Sequence, residues 1–564
     1  MTNGQIIDIL ETTASLMELH DENSFKVKAV QNAVFNLEKL SDSLENMSID
    51  ALEKLDGIGK GIAAKIHEIN QTGTTQEYES YISITPSGVM DMLGIKGVGP
   101  KKVRTLWKEH ALDSLDKLRQ ACIDGLVASV KGFGEKTQDS VLKSVEFILS
   151  NRGKFLFSQV ENFAIQLESK LKELKLSPLI SLSGEIRRKM ESVAFIQLII
   201  GTDEREKTIE ILDKLPWLEK DEVTSSPFIW RGKDSILNIS IEIKIYPTKE
   251  YSTQLFLHSS GTAHLKGAAK EGDSFISYVK KNSFTEEKEI YESLGMQYIV
   301  PELREGYKEI TRAKAHQLPI LLEETDLKGT LHNHSKYSDG KNTLEEMAVY
   351  CKELGYQYLG ISDHSKTATY ANGLQEFRVK QQQEEIDSLN KKLAPFKIFK
   401  GIESDILTDG SLDYSDDILK TFDFIVASIH SGFNMDIHKA TARLITAIEN
   451  PYTTMLGHPT GRILLRREGY PIDHRKIIDA CAENKVIIEI NSNPHRLDID
   501  WRWVDYAMDK GVMLSINPDA HVKSGYHDMK YGVYVGRKGG LTADMTFNTW
   551  SLEKVEQWFK EKKK

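Results

Sequence analysis

The sequence predicts a multidomain chain with three fold types in succession: an all-helical N-terminal region, a mixed α/β middle and a C-terminal barrel of alternating strands and helices. Three observations predict it. Residues 1–150 place apolar side chains at i, i+3, i+4 spacing and contain no long β-branched run. Residues 151–315 interleave β-rich runs with helical stretches. Residues 327–564 alternate short apolar strands with amphipathic segments, the pattern of a βα barrel. A chain of 564 residues has room for these parts, since length alone suggests roughly three to five domains.

Within the helical region, two glycine-rich turns separate helices. One is LEKLDGIGKGIAAKIHEI, around Gly57, Gly59 and Gly61. The other is MLGIKGVGPKKVRTLWKE, around Gly94, Gly97 and Gly99, followed by Lys101 and Lys102. A looser third, VKGFGEKTQDSVLKSV, carries Gly132 and Gly134. Glycine lets the chain turn with φ > 0 and lets backbone N–H groups approach a ligand. The following helix N-terminus offers free donors and a positive dipole end to a phosphate. This helix-hairpin-helix pattern grips the DNA backbone without reading bases. A plain αα-turn with a glycine C-cap explains any single copy, but repetition favours DNA.

In the middle, SPLISLSG, VAFIQLIIG and LNISIEIKIYP read as strands and EREKTIEILDKL as a helix. HQLPILLEETD, at 316–326, reads as a linker into the barrel. The barrel strands are LKGTLHNHS, YLGISDHS, FKIFKGIESDI, FDFIVASIHS, TMLGHPT, VIIEINSN and VMLSINPDAH. Their C-terminal ends carry polar residues, on the rim where such a barrel builds its site.

Nine potential metal ligands gather there: His332, His334, Asp339, His364, Glu403, His430, His458, Asp519 and His521. His332 and His334 alternate along a strand and so share a face, as do Asp519 and His521. The set exceeds what one closed structural zinc site uses, so several ions sharing ligands are expected. Imidazole with carboxylate suits Mn²⁺, Zn²⁺ or Fe²⁺. Clustered ions of this kind serve phosphoester hydrolysis.

Composition excludes little else. The 40% hydrophobic and 28% charged residues describe an ordinary soluble protein. No apolar run approaches the ~20 residues needed to cross a bilayer, and no signal-peptide pattern opens the chain. Cys122, Cys351 and Cys481 lack a pairing pattern, which fits a reducing cytoplasm. The net charge of -10 decides nothing about nucleic acid, because contact depends on local basic patches. The basic tail KEKKK reads as a solvated terminus.

The motifs HNH, SDG, SDH, GIESDI, SIHS, GHPTGR and DAH, in this order, resemble the PHP (polymerase and histidinol phosphatase) family. The resemblance implies a distorted seven-stranded barrel holding three divalent ions. One would take His332, His334, Glu403 and Asp519; a second Asp339, His364 and His521; a third Glu403, His430 and His458, with Glu403 bridging. All nine positions are filled by competent residues, and only the neighbouring Pro518 departs from the small polar residue expected there. Arg462 of GHPTGR, with Arg466 and Arg467, is the expected phosphate-holding group, the alternative being a solvated face.

With ENSFKVKAVQNAV near the N-terminus and EIYESLGMQYIVPELREG closing the middle, the whole chain resembles the bacterial family X DNA polymerases, PolX. That resemblance implies an N-terminal helical domain at 1–80 and a fingers-like domain at 81–150. It further implies a nucleotidyltransferase-like palm at 151–250, a thumb-like segment at 251–315, the 316–326 linker and a PHP domain at 327–564. The family's palm motif is altered in GEIRRKMESVAFIQLII. Gly184, Arg187, Arg188 and Glu191 match, but Glu185 replaces the serine, and Phe195 and Gln197 stand where two aspartates hold the catalytic ions. A phenyl ring cannot coordinate an ion, and a neutral amide binds a hard divalent cation poorly. Only Glu242 remains as a carboxylate; Asp203 and Glu204 lie beyond the strand's end. No Mg²⁺ is therefore expected at this polymerase-like site. Arg187 and Arg188 are either retained phosphate contacts or residual surface charge. Lys65 matches the lysine that serves as a Schiff-base nucleophile in some family X lyase domains, although an exposed helical lysine is ordinarily solvated.

The resulting expectation is a cytoplasmic, monomeric, metal-dependent 3′→5′ exonuclease acting in DNA repair on gapped, nicked or single-stranded 3′ ends, with polymerase activity lost or very weak. The alternatives are an active gap-filling polymerase with an attached nuclease and a histidinol-phosphatase-like enzyme for small phosphomonoesters.

Overall fold

The computed structural model describes residues 3–563 apart from 38–39, 41–43, 46, 96 and 236. Lys96 of the second glycine turn and Lys564 of the basic tail lie outside the described residues. The chain divides into two compact units. One comprises Met1–Arg152 with the short pieces Asp339–Thr343 and Arg466–Glu468; the other comprises Gly153–Ser338, Leu344–Leu465 and Gly469–Lys564.

The first unit is helical through Ser150. Its helices bury apolar stripes in two clusters, one built from Ile6, Leu10, Val30, Ile62 and Ile66 and the other from Val89, Val103, Leu118 and Val141. The three glycine turns share one geometry. Gly57, Gly97 and Gly132 have φ of 73°, 82° and 89°. Two residues on, Gly59, Gly99 and Gly134 are extended N-caps of the helices Lys60–Thr72, Pro100–Arg104 and Glu135–Ser150. The third copy, read as looser in the sequence, is thus built like the others. Two glycines play different parts from those expected: Gly61 lies inside Lys60–Thr72 and Gly94 caps Ser87–Leu93 with φ −77°.

In the second unit, a five-stranded mixed sheet forms the middle. Its strands are β1 (Leu179–Ser183), β2 (Ile196–Gly201), β3 (Leu218–Lys220), β4 (Ile229–Asp234) and β5 (Ser240–Tyr246), in spatial order β1-β2-β5-β4-β3. β2 and β5 run parallel with Gln197 opposite Glu242. The edge strand β3 and its neighbour β4 escaped the sequence reading, because Glu219, Lys220, Arg231 and Lys233 break any apolar run. Helix Phe157–Glu173 covers the sheet with Phe157, Val160, Ala164, Leu167 and Leu171, one stripe at 3.6-residue spacing.

The barrel uses all seven anticipated strands: β6 (Gly329–Thr330), β7 (Tyr358–Ile361), β8 (Lys397–Asp405), β9 (Phe424–Ser428), β10 (Met455–Leu456), β11 (Ile487–Asn491) and β12 (Leu514–Asn517). They pair in chain order and all are parallel. A bridge between Asn333 and Ala520 brings the two ends together, leaving the barrel nearly closed. Each strand is buried on both faces, as expected for strands wrapped by helices.

The 316–326 stretch is less of a free linker than its sequence suggested. Leu322 is fully buried, its N–H donates to the Leu541 carbonyl at 2.9 Å, and Leu321 bridges to Thr542. Cys122, Cys351 and Cys481 are buried and unpaired. Among the described residues, no helix is long and apolar enough to cross a membrane.

Candidate metal centre

The short turns after successive barrel strands bring the nine residues together at one rim. His332 and His334 follow β6, His364 follows β7, Glu403 sits in β8, His430 follows β9, His458 follows β10, and Asp519 and His521 follow β12. Asn333, pointing the other way between the two histidines, donates to the Gly360 carbonyl at 3.1 Å and so fixes the strand's register. His458 and Asp519 have φ of 22° and 54°. Such left-handed backbone in non-glycine residues is held only where surroundings over-determine it, typically at functional sites.

Glu403 is the hub. It is fully buried. His364 Nδ1 lies 3.0 Å from its carboxylate, His458 Nε2 3.0 Å, His430 Nε2 3.1 Å and His332 Nε2 3.3 Å. His334 Nε2 lies 3.0 Å from Asp519 Oδ1. Ligand atoms within 4.8 Å of one another form four overlapping groups: His334, Asp339, His364 and His521; His332, Glu403 and His458; His332, His334 and Asp519; and His364, Glu403 and His430. These groups draw on the nine residues singled out in the sequence and divide them differently from the three-ion scheme. His364 joins Glu403 and His430 as well as Asp339, and His458 joins His332.

Electrostatics mark the cluster as a donor set rather than a packed core. Burial opposes charge on Glu403, yet His430, His332 and His364 hold its carboxyl well below the usual range. Burial likewise opposes charge on His430, yet Glu403 and Asp405 raise its pKa to about 10. His334 goes the other way: burial, then His521 and His364, push it to about 3. His332 Nε2 and Glu403 Oε2 are buried polar atoms with no hydrogen-bond partner among the described residues. Leaving such atoms unsatisfied is costly, and divalent cations satisfy them. The residues present therefore fit a multinuclear site.

An outer ring, missed in the sequence reading, orients these ligands. Glu489 Oε1 lies 2.7 Å from His332 Nδ1, and its other oxygen accepts the His458 N–H at 2.8 Å. Asp405 Oδ1 lies 2.5 Å from His430 Nδ1. Asn491 donates to Asp519 at 3.2 Å, and Arg496 Nε lies 3.6 Å from the same carboxylate. Carboxylates behind ligating histidines fix tautomer and ring orientation. A fully buried glutamate inside the apolar run VIIEINSN was the available signal.

Arg462, the expected phosphate-holding group, is engaged within the protein. Its guanidinium pairs with Asp500 at 2.6 Å and donates to the carbonyls of Arg496, at 2.9 Å, and Leu497. With three of its five N–H donors so engaged, Arg462 clamps the loop that carries Arg496. Arg187 and Arg188 are likewise structural. Arg187 forms a two-pronged pair with Glu287, at 3.0 and 2.5 Å, and Arg188 pairs with Glu305 at 3.0 Å. Lys538, on the barrel helix Met529–Lys538, joins Glu305 at 2.5 Å.

At the polymerase-like position, Glu242 is paired with Arg231 and Lys244. Glu242 Oε2 accepts from Arg231 Nε at 2.7 Å, Glu242 Oε1 lies 2.9 Å from Lys244 Nζ, and Gln197 donates to it at 2.9 Å. Phe195 is 43% exposed just before β2. Glu185 accepts the Ala194 N–H at 3.0 Å, and Asp203 accepts the Thr248 N–H at 3.1 Å. In the helical unit, Lys65 Nζ is ion-paired with Glu77. Lys102 donates to the Gly97 carbonyl at 3.2 Å, bracing its turn, while Lys101 is 85% exposed.

The comparisons agree with this anatomy. Residues 1–75 match a helix-hairpin-helix domain, 89–146 a SAM-like helix-hairpin-helix tandem and 330–493 the PHP domain. Fold and site together define a class of protein in which helix-hairpin-helix units and a mixed α/β middle precede a PHP barrel with a multinuclear donor set. Over 99% of its length the chain is 35% identical to the DNA polymerase/3′-5′ exonuclease PolX of Bacillus subtilis (strain 168), covering 100% of that protein. The chain belongs to the PolX family. Its barrel alone is 30% identical to a probable phosphatase of Thermoanaerobacter sp. (strain X514), over 41% of this chain and 94% of that one. A probable phosphatase of Acetivibrio thermocellus is 26% identical over a similar span, 41% of this chain and 95% of that protein.

Proposed function

We propose that the chain is a DNA-binding phosphoesterase that trims 3′ ends through its barrel and has lost, or nearly lost, nucleotidyl transfer. One contrast carries the reading. Glu403 gathers His332, His364, His430 and His458, all residue types able to ligate a metal, whereas Glu242 is paired with Arg231 and Lys244, which are not. The ligand set is His332, His334, Asp339, His364, Glu403, His430, His458, Asp519 and His521, and the proposed ions are Mn²⁺ or Zn²⁺, with Fe²⁺ also compatible. Bound there, divalent ions supply Lewis-acid stabilisation of charge at phosphorus. Glu489 and Asp405 keep His332 and His430 aimed inward, and Arg496 sets positive charge beside Asp519. The domain division given above is proposed with it.

A 5′-labelled oligonucleotide with a free 3′ end, incubated with Mn²⁺, tests the reading. The wild type should shorten it progressively, and the double substitution His332→Ala, His334→Ala should abolish shortening while leaving DNA affinity unchanged. Shortening that survives the double substitution would sink the assignment.

DNA would be held at the glycine turns. A Cβ built at Gly59, Gly99 or Gly134 meets nothing within 4 Å, so packing does not demand glycine there, and an approaching phosphate does. Gly59→Val with Gly99→Val should weaken duplex binding about tenfold in an anisotropy titration, with a thermal midpoint changed little. An unchanged affinity would leave these turns as plain helix connections.

A second reading, a retained gap-filling polymerase, is favoured by the full-length similarity to the Bacillus subtilis protein. It requires Glu242 to shed Arg231 and Lys244 when DNA and nucleotide bind.

A further inference from the structure

The donor cluster alone does not specify what is attached to the phosphate. The loop after β7 does. This segment, 365–378, is pinned along its length: Leu374 N donates to the His364 carbonyl at 2.9 Å and Thr367 N to Asp413 at 2.7 Å. Thr367 Oγ1 donates to Asp405 at 2.9 Å, and Arg378 to the Asn372 carbonyl at 2.9 Å. Asn372, at φ 54°, turns the chain back on itself. At the apex of this braced loop stands Tyr370, 68% exposed. Its ring centroid lies 6.2 Å from that of His364, tilted by 57°, and His364 Nδ1 is itself 3.0 Å from Glu403.

Tyr370 is thus a large aromatic side chain with most of its surface in water, on a braced support and beside the ring of a donor histidine. It gains area when a flat apolar group covers it. We propose that Tyr370 is the platform on which the base of the 3′-terminal nucleotide stacks while its phosphodiester lies at the Glu403 cluster. Base–aromatic stacking tolerates every base, because each has a π-face. It therefore selects a nucleic acid 3′ end over a small phosphomonoester without imposing sequence preference. Tyr370 thus sets substrate class, and the proposal rests on the barrel being the hydrolytic site.

The test is the first cleavage of two Mn²⁺-supported substrates, one oligonucleotide ending in a normal 3′ nucleotide and one ending in an abasic residue. With the wild type, KM for the abasic end should be about tenfold higher. Tyr370→Ala should raise KM for the normal end by the same factor, leave kcat within twofold and leave the abasic substrate unchanged; Tyr370→Phe should behave as wild type. If Tyr370→Ala slows both substrates equally, the residue acts through the shape of the metal site and the stacking role falls. If it slows neither, the base is held elsewhere and the proposal falls. If the wild type cuts neither substrate, the hydrolytic reading itself fails and takes this proposal with it.

Discussion

Replacing Glu403 by glutamine is expected to lower the rate of 3′ trimming by more than about 100-fold, beyond the ~10–100-fold range of outer-ring substitutions. The substitution is nearly isosteric, so the barrel should fold. It removes the negative charge shared by His332, His364, His430 and His458. Metal analysis of the purified variant should find fewer ions per chain than in the wild type. Glu489→Gln, which touches His332 and the His458 N–H, should fall within the outer-ring range instead. Equal losses for the two variants would deny Glu403 its central place.

The largest expected loss of stability is at Glu287. This buried carboxylate holds Arg187 at 3.0 and 2.5 Å and the fully buried Arg304 at 2.6 Å. Glu287→Leu strands two guanidiniums and should cost about 3–5 kcal/mol, as for other broken buried pairs, measured by urea unfolding. Glu204→Ala, which removes an exposed pair with Lys207, should change little. Burial opposes charge on Glu287, but Arg304 and Arg187 hold its carboxyl below the ordinary value of 4.5. A depressed folded pKa stabilises above the unfolded value. The difference between wild type and variant should therefore be full above pH 4.5 and fade as pH falls through the lower folded value.

The barrel was legible because its strands are continuous apolar runs ending in ligand-type residues, and alternation put His332 and His334 on one face. How the ligands group around ions was not legible, since His364 reaches both Asp339 and Glu403 only after β7 and β8 are laid side by side. The arginines were left open for a related reason. Sequence cannot tell whether a guanidinium is free, and Arg462, Arg187 and Arg188 turned out to be committed to Asp500, Glu287 and Glu305. The arginine beside the cluster, Arg496, carried no motif. Nor could the sequence announce that Arg231, on the unforeseen strand β4, would sit on Glu242.

Those two contrasting carboxylates, Glu403 ringed by metal-ligand histidines and Glu242 paired with Arg231 and Lys244, state the central claim. It is tested most directly on one gapped DNA duplex, labelled on the primer strand and incubated with Mn²⁺, with and without the four deoxynucleoside triphosphates. The account predicts a primer that shortens in both cases and never lengthens. A primer extended to fill the gap would contradict it.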